Sequence, residues 1–487
     1  MKNRIIAILM ALALLIAYPA CALAEGNPPE PPSGDFAPGD MGTPPDGMGE
    51  PPEGMGEPPE GGPDGMGGPG EGGPGGGFGG GSADFEYAAA TELTEASNLT
   101  GETYASDTAD ESALIVNTDA DVTLADITVE KTGDSNGGDN CNFYGLNAAL
   151  LVMGGSVTEI TGATITSDAD GANGVFSYGG NGGQNGAAGD GTTVVISDST
   201  ITTTGDGSGG IMTTGGGATY ATNLTVETSG RSSAAIRTDR GGGTVVVDGG
   251  SYTSNGLGSP AIYSTADITV SNATLTSNLS EGVCIEGLNS ITLNDCDLTA
   301  NNTQMNGNAT FLDTIMIYQS MSGDADSGTS HFTMTGGSLT SQNGHMFHVT
   351  NTHAVITLTG VELVNEDGEN VLLSVCDDGW NGASNIAELN AVNQALTGTI
   401  LVGDNSTLTL NLTEGSTFEG AISGEIVNAK GDTVSTEVGT VSVTLDETST
   451  WTLTADTYIT EFSGDPANVI GGGYTLYVNG EALEGIA

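Results

Sequence analysis

Between Gly230 and Gly243 the chain reads GRSSAAIRTDRGGG and carries Arg231, Arg237 and Arg240, in a sequence with 7 lysines and arginines against 62 aspartates and glutamates. A guanidinium binds carboxylate or sulfate bidentately, so three of them would form a local attractor for an anionic ligand. The competing use is internal, with the same cations pairing Asp239, Glu286 or neighbouring acids and relieving like-charge repulsion. Tyr263 and Tyr318 supply aromatic faces and hydroxyls of the kind that stack on sugar rings, and with Glu286 and His348 they complete the candidate ligand-binding set. For catalysis the candidates are Arg237, Asp239 and Glu286, as a base beside acids or as a carboxylate pair of the kind a glycosidase needs.

Other groups give weaker signals. Loop carboxylates in SGDADSG (Asp324, Asp326) and CDDGWNG (Asp377, Asp378) are calcium candidates, although their spacing matches no known calcium loop. Turn chemistry accounts for the same residues. Calcium is the one ion these carboxylates would hold, and no other cofactor is expected. The four histidines fall between His331 and His353, with His345 and His348 three apart. Strand alternation puts those two on opposite faces, which argues against zinc. GGNGGQNGAAGDG, Gly179 to Gly191, lacks the lysine and hydroxyl ending of a phosphate loop and reads as an insertion between elements.

These residues must be held by strands. From about Phe85 the sequence alternates in short runs with no sustained helical period. TEITGATITS from Thr158, VVISDSTITT from Val194, VVVDGGSYTS from Val245, ITVSNATLTS from Ile268, ITLNDCDLTA from Ile291, FTMTGGSLTS from Phe332 and ITLTGVELVN from Ile356 share one template of strand, small-residue turn and strand. From Val129, the apolar position of the second strand recurs after 36, 36, 25, 26, 23, 23, 41 and 24 residues, at Ile165, Ile201, Val226, Tyr252, Leu275, Leu298, Leu339 and Leu363. A third strand follows a variable loop, with an inward column expected at Val175, Ile211, Ile236, Ile262, Ile285, Ile317 and Phe347. One coil cannot bury its inward ring alone, whereas stacked coils bury a continuous column.

The fold expected is therefore all-β, a right-handed parallel β-helix with three strands per coil, over residues 85–445, with 446–487 as a capping segment. The repeat resembles the parallel β-helices of the pectin-lyase-like superfamily and of bacterial adhesin-type proteins. That resemblance implies fold more than activity. The motifs associated with polygalacturonases and pectate lyases are not found, so an enzyme is the lesser expectation, and a polysaccharide lyase or glycosidase would be its form. One step beyond the inward column, the outward row would run Phe176, Met212, Arg237, Tyr263, Glu286, Tyr318, His348, with Arg237 to His348 spanning about 19 Å at the usual interstrand spacing.

The ends and the charge bound the setting. Residues 1–24 read as a secretory signal, with Lys2 and Arg4 ahead of an apolar run and Ala22-Leu23-Ala24 at the cleavage point; Cys21 is an alternative lipidation site. Residues 25–84, rich in Pro, Gly, Glu and Met, read as a disordered spacer. No later apolar run is long enough to span a bilayer. A net charge of −55 repels nucleic acid and anionic lipid. Cys141, Cys284, Cys296 and Cys376 are too sparse for a disulfide framework and are expected to pack as small apolar side chains. The functional expectation is a secreted or cell-surface, adhesin-like protein that binds extracellular polysaccharide or a cell-surface glycan. Two alternatives remain: an enzyme acting on acidic glycans, or a purely structural stalk.

Overall fold

A computed structural model describes residues 86–380 and 385–487; the expected signal and spacer lie outside them. Each coil contributes a strand to each of three faces, and the faces close into a right-handed parallel β-helix. In one turn, Val157–Thr161 lies on the first face, Thr164–Ser167 on the second and Val175–Tyr178 on the third. The third face is a ladder of 13 strands running from Ala88–Leu93 to Ile422–Ser423. Faces one and two join through the long strands Gly217–Thr228 and Gly243–Ser254, which run continuously around the turn between them.

The fifth residue of each template explains that turn. Gly162, Asp198, Gly249, Asn272, Asp295, Gly336 and Gly360 all have positive φ, between 49° and 72°. Only Gly, Asn and Asp take this left-handed conformation at low cost, and these positions carry only those three types. The turn residues also bond from coil to coil. Asn223 Nδ2 donates to Asp198 Oδ1 at 2.7 Å. Before the third face, Ser208, Ser233 and Ser259 form a buried ladder, the backbone N–H of Ser208 donating to Ser233 Oγ and that of Ser233 to Ser259 Oγ, each at 2.9 Å.

The second-face column pairs in the expected register at every step from Val129 to Leu363. The third-face column departs from expectation at one point. Ile262 pairs with Val283, which leads to Ile315 and then Phe347, while Ile285 and Ile317 stand two residues further on, over Ser264. A shift of two preserves which side each residue faces, so hydrophobic pattern alone does not distinguish these registers. The outward row is therefore Phe176, Met212, Arg237, Tyr263, Cys284, Met316, His348 and Ser374, with Glu286 and Tyr318 in the adjacent row.

Parallel pairing continues through Glu461–Ser463 and Val469–Ile470, and an antiparallel pair, Leu476–Val478 with Glu481–Ala482, follows. Among the described residues the one α-helix is a single short segment, α1, Asp139–Tyr144, and no helix is long and apolar enough to cross a membrane. Among the described residues, Cys141, Cys284, Cys296 and Cys376 are free and buried.

Two buried carboxyls meet on successive coils, where the N–H of Gly282 donates to the carbonyl of Thr314, the residues that follow Glu281 and Asp313. Burial, then Glu281, raises the Asp313 carboxyl well above its ordinary range, and burial raises that of Glu281. Raised carboxyls stabilise the fold below their ordinary range and lose that contribution as pH rises through the folded values. Asp313→Asn is expected to raise the melting temperature at pH 8 and leave it nearly unchanged at pH 4, as thermal melts at the two pH values would show.

Candidate functional site

The outward side of the third face is roofed. Phe143 and Tyr144 of α1 pack with Ile115, Leu151, Phe176 and Met212 into a second apolar cluster. Further along, Cys284, Met316 and Tyr318 pack with Tyr263 and Trp380, and then Phe311, Val371, Cys376, Leu401 and Ile426 form another cluster. These are satellite cores beneath long loops. A glycan laid along the whole outward row would meet these loops first.

The three arginines reach three different partners. Arg237 Nη2 lies 2.6 Å from Asp239 Oδ2, its Nη1 donates to the Ser232 carbonyl at 2.9 Å, and its guanidinium carbon sits 5.3 Å from the centre of the Tyr263 ring. Arg240 forks onto Asp324 Oδ1, with Nε at 3.1 Å and Nη2 at 2.6 Å, and stacks 4.1 Å from the Phe143 ring centre. Arg231 is exposed and donates to Asn306 Oδ1 at 3.4 Å. Burial pushes the Asp239 carboxyl up to about 6, against the pull of Arg237.

Glu286 is a hub. Its Oε2 accepts from Tyr263 at 2.6 Å and from Tyr318 at 3.3 Å, and its Oε1 accepts from the hydroxyls of Ser320 and Ser322. The weak catalytic trio is thus brought into one neighbourhood, with Asp239 and Glu286 flanking Thr265 about two coil spacings apart. Their side chains are nonetheless buried, Asp239 at 2% and Glu286 at 1% exposure.

The loop carboxylates have partners of their own. Asp324 takes Arg240, Asp326 Oδ1 faces Asn185 Nδ2 at 3.5 Å, Asp377 Oδ1 accepts from Asn385 at 2.6 Å, and Asp378 Oδ1 accepts from the backbone N–H and the hydroxyl of Thr310 at 2.7 and 2.6 Å. No cluster of three or more His, Cys, Asp or Glu among the described residues is placed to hold a metal ion.

Two features went unread in the sequence. The first is a polar groove of about 530 Å³ lined by Asn185, Gly242, Asp267, Leu288, Asn289 and Asp326, among others. One wall is the Gly179 to Gly191 insertion, which lies so close to the coil beneath it that a Cβ on Gly189 would sit 2.1 Å from the Gly216 carbonyl oxygen. Leu288 is 49% exposed in this groove. The second is a histidine pair. His345 and His348 do not diverge as strand alternation predicts: both Nδ1 atoms lie 2.7 Å from Ser374 Oγ. His345 opens its strand directly after Gly344, which has φ +77°, and the neighbouring strand is bulged between Val371 and Leu373, so the corner leaves regular pleating. No spacing in the sequence signals that bulge.

Compared with known proteins, the chain matches no family model, no curated protein and no solved structure. Its fold therefore stands on its own geometry, and its site on the chemistry of the side chains.

Proposed function

We propose that the protein is an exported, adhesin-like β-helix that binds a neutral oligosaccharide in the groove beside Leu288, and that its likeness to pectin-lyase-like proteins extends to the repeat alone. The observation that supports this reading most is the charge of that groove: its ionisable lining groups are Asp267 and Asp326, with no cation among them. Carboxylate and amide groups accept and donate to sugar hydroxyls, and the glycine-lined floor exposes backbone groups at close range. Two of the arginines that would draw an acidic glycan are already neutralised by Asp239 and Asp324. Burial of Asp239 and Glu286 beneath loops weighs against polymer hydrolysis at those carboxylates.

The test is an array of neutral and acidic glycans probed with the full chain. Binding to a neutral glycan, reduced about tenfold in Asp326→Ala and Leu288→Ala with unchanged melting temperature, is the expected result. Binding confined to acidic glycans and lost in Arg231→Ala would overturn it in favour of an anionic ligand. Binding to no glycan would leave a structural stalk.

A further inference from the structure

A second cavity, of about 500 Å³, lies between Phe311 and Ala429, with Leu312, Val371, Leu401 and Val427 as apolar walls. Its charged lining groups are Asp367, Glu369 and Glu425. Carboxylates alone would carry no argument. The deciding group is His345, 7% exposed, which lines the same cavity. Its Nδ1 is engaged by Ser374, and its Nε2 has no hydrogen-bond partner among the described residues.

The hydrogen-bond chain behind His345 sets which of its nitrogens carries a proton. His348 Nε2 lies 3.3 Å from Asp378 Oδ2. Burial works to raise the Asp378 carboxyl, but His348, Thr310 and the Gly379 N–H together hold it below the usual range, so it is ionised and acceptor-only. In the arrangement with His348 neutral and its proton on Nε2, toward Asp378, its Nδ1 accepts the Ser374 hydroxyl proton at 2.7 Å. Ser374 Oγ has one proton to give, so toward His345 it is an acceptor, and the His345 proton lies on Nδ1. Burial is the main cause that pushes the His345 imidazole down to about 3, which keeps it neutral. Nε2 of His345 consequently presents a lone pair to the cavity.

Every polar group just described offers the cavity an acceptor: one neutral imidazole nitrogen and three carboxylates. The walls are apolar, and the ring of Phe311 packs 5.3 Å from that of His345. Lys430, next in sequence to the lining Ala429, is exposed and forms no ion pair among the described residues. We propose that this cavity binds a small organic ammonium ion with an apolar body, its N–H groups donating to His345 Nε2 and to the carboxylates of Glu369 and Glu425. The apolar body would lie against Leu312, Val371 and Leu401. This site is separate from the oligosaccharide groove, and its test does not depend on that reading.

The experiment is calorimetric titration of the full chain with phenethylammonium and, separately, with the neutral 2-phenylethanol. Saturable one-to-one binding of the cation, with at least tenfold weaker binding of the alcohol, is expected. Glu369→Gln and Glu425→Gln are exposed substitutions that leave the fold intact, and each should weaken the cation about tenfold. Nitrogen NMR of the free protein should report His345 Nε2 unprotonated and Nδ1 protonated. Equal affinity for cation and alcohol, no binding of the cation, or a protonated Nε2 would each overturn the proposal. Stoichiometric zinc binding that excludes the amine would reassign the cavity to a metal.

Discussion

Arg237→Ala is expected to destabilise the protein by about 3–5 kcal/mol at pH 8, because it leaves the Asp239 carboxylate buried without its cation. The effect should shrink on acidification. Asp239 already has its carboxyl pushed up to about 6 by burial in the intact pair, and removal of the guanidinium raises it further. A carboxyl with a raised folded value contributes its stability at low pH and loses it as pH rises through that value. The variant should therefore approach wild-type stability near pH 4 and fall away above pH 6. Denaturant titrations at pH 4.5 and 8 check this, and Arg237→Ala combined with Asp239→Asn should recover most of the loss at pH 8. A loss that is the same at both pH values would show that Arg237 acts through packing on Tyr263 instead. Either outcome assigns the arginine a structural role. A functional role would instead lower ligand binding without changing stability.

The fold was legible because the repeat is written at two levels at once. Apolar positions such as Ile165, Ile201 and Val226 mark the inward column, and the Gly, Asn or Asp at each fifth template position marks a turn that only those residues enter cheaply. The faces were less legible than the strands. Ile285 could be placed over Ile262 as plausibly as Val283, because both frames keep apolar residues inward, and the length of the Ser277 to Val283 connection decides between them. The site was legible as a neighbourhood and not as a surface. Arg237, Tyr263, Glu286 and Tyr318 do meet, yet nothing in the alternation of a strand reports that α1 and the Trp380 loop lie over it. The Ser374 and His345 contact depends on a bulge at Val371 to Leu373, which periodic reading averages away. Charge counts alone also misjudge the arginines, since Asp324 is 84 residues from Arg240 in sequence and shares an ion pair with it.

The second large effect is expected at the far end of the solenoid. Trp451 is fully buried, stacks on Phe418 with ring centres 5.6 Å apart, and donates its indole N–H to the Gly420 carbonyl at 3.0 Å. Its register partners are Phe418 on one side and Val469 on the other, so it couples the coil of Thr417–Gly420 to the strand Val469–Ile470. Trp451→Ala should cost about 3–5 kcal/mol from lost burial and the cavity it leaves, and it leaves the Gly420 carbonyl without its donor. A solenoid interacts through nearest neighbours, so that loss should stay local. Hydrogen exchange should show protection falling across Thr417–Gly420, Thr450–Leu453 and Val469–Ile470, while the ladder around Ile201 and Val226 keeps its wild-type rates. Trp451→Phe keeps the stacked ring and should lose roughly a third of the alanine effect or less, the part carried by the indole hydrogen bond. Uniform loss of protection along all coils would mean that the β-helix unfolds as one cooperative body. In that case the terminal coils would set the stability of the whole groove-bearing face, and substitutions at Trp451 would alter ligand binding at Leu288, far along the solenoid.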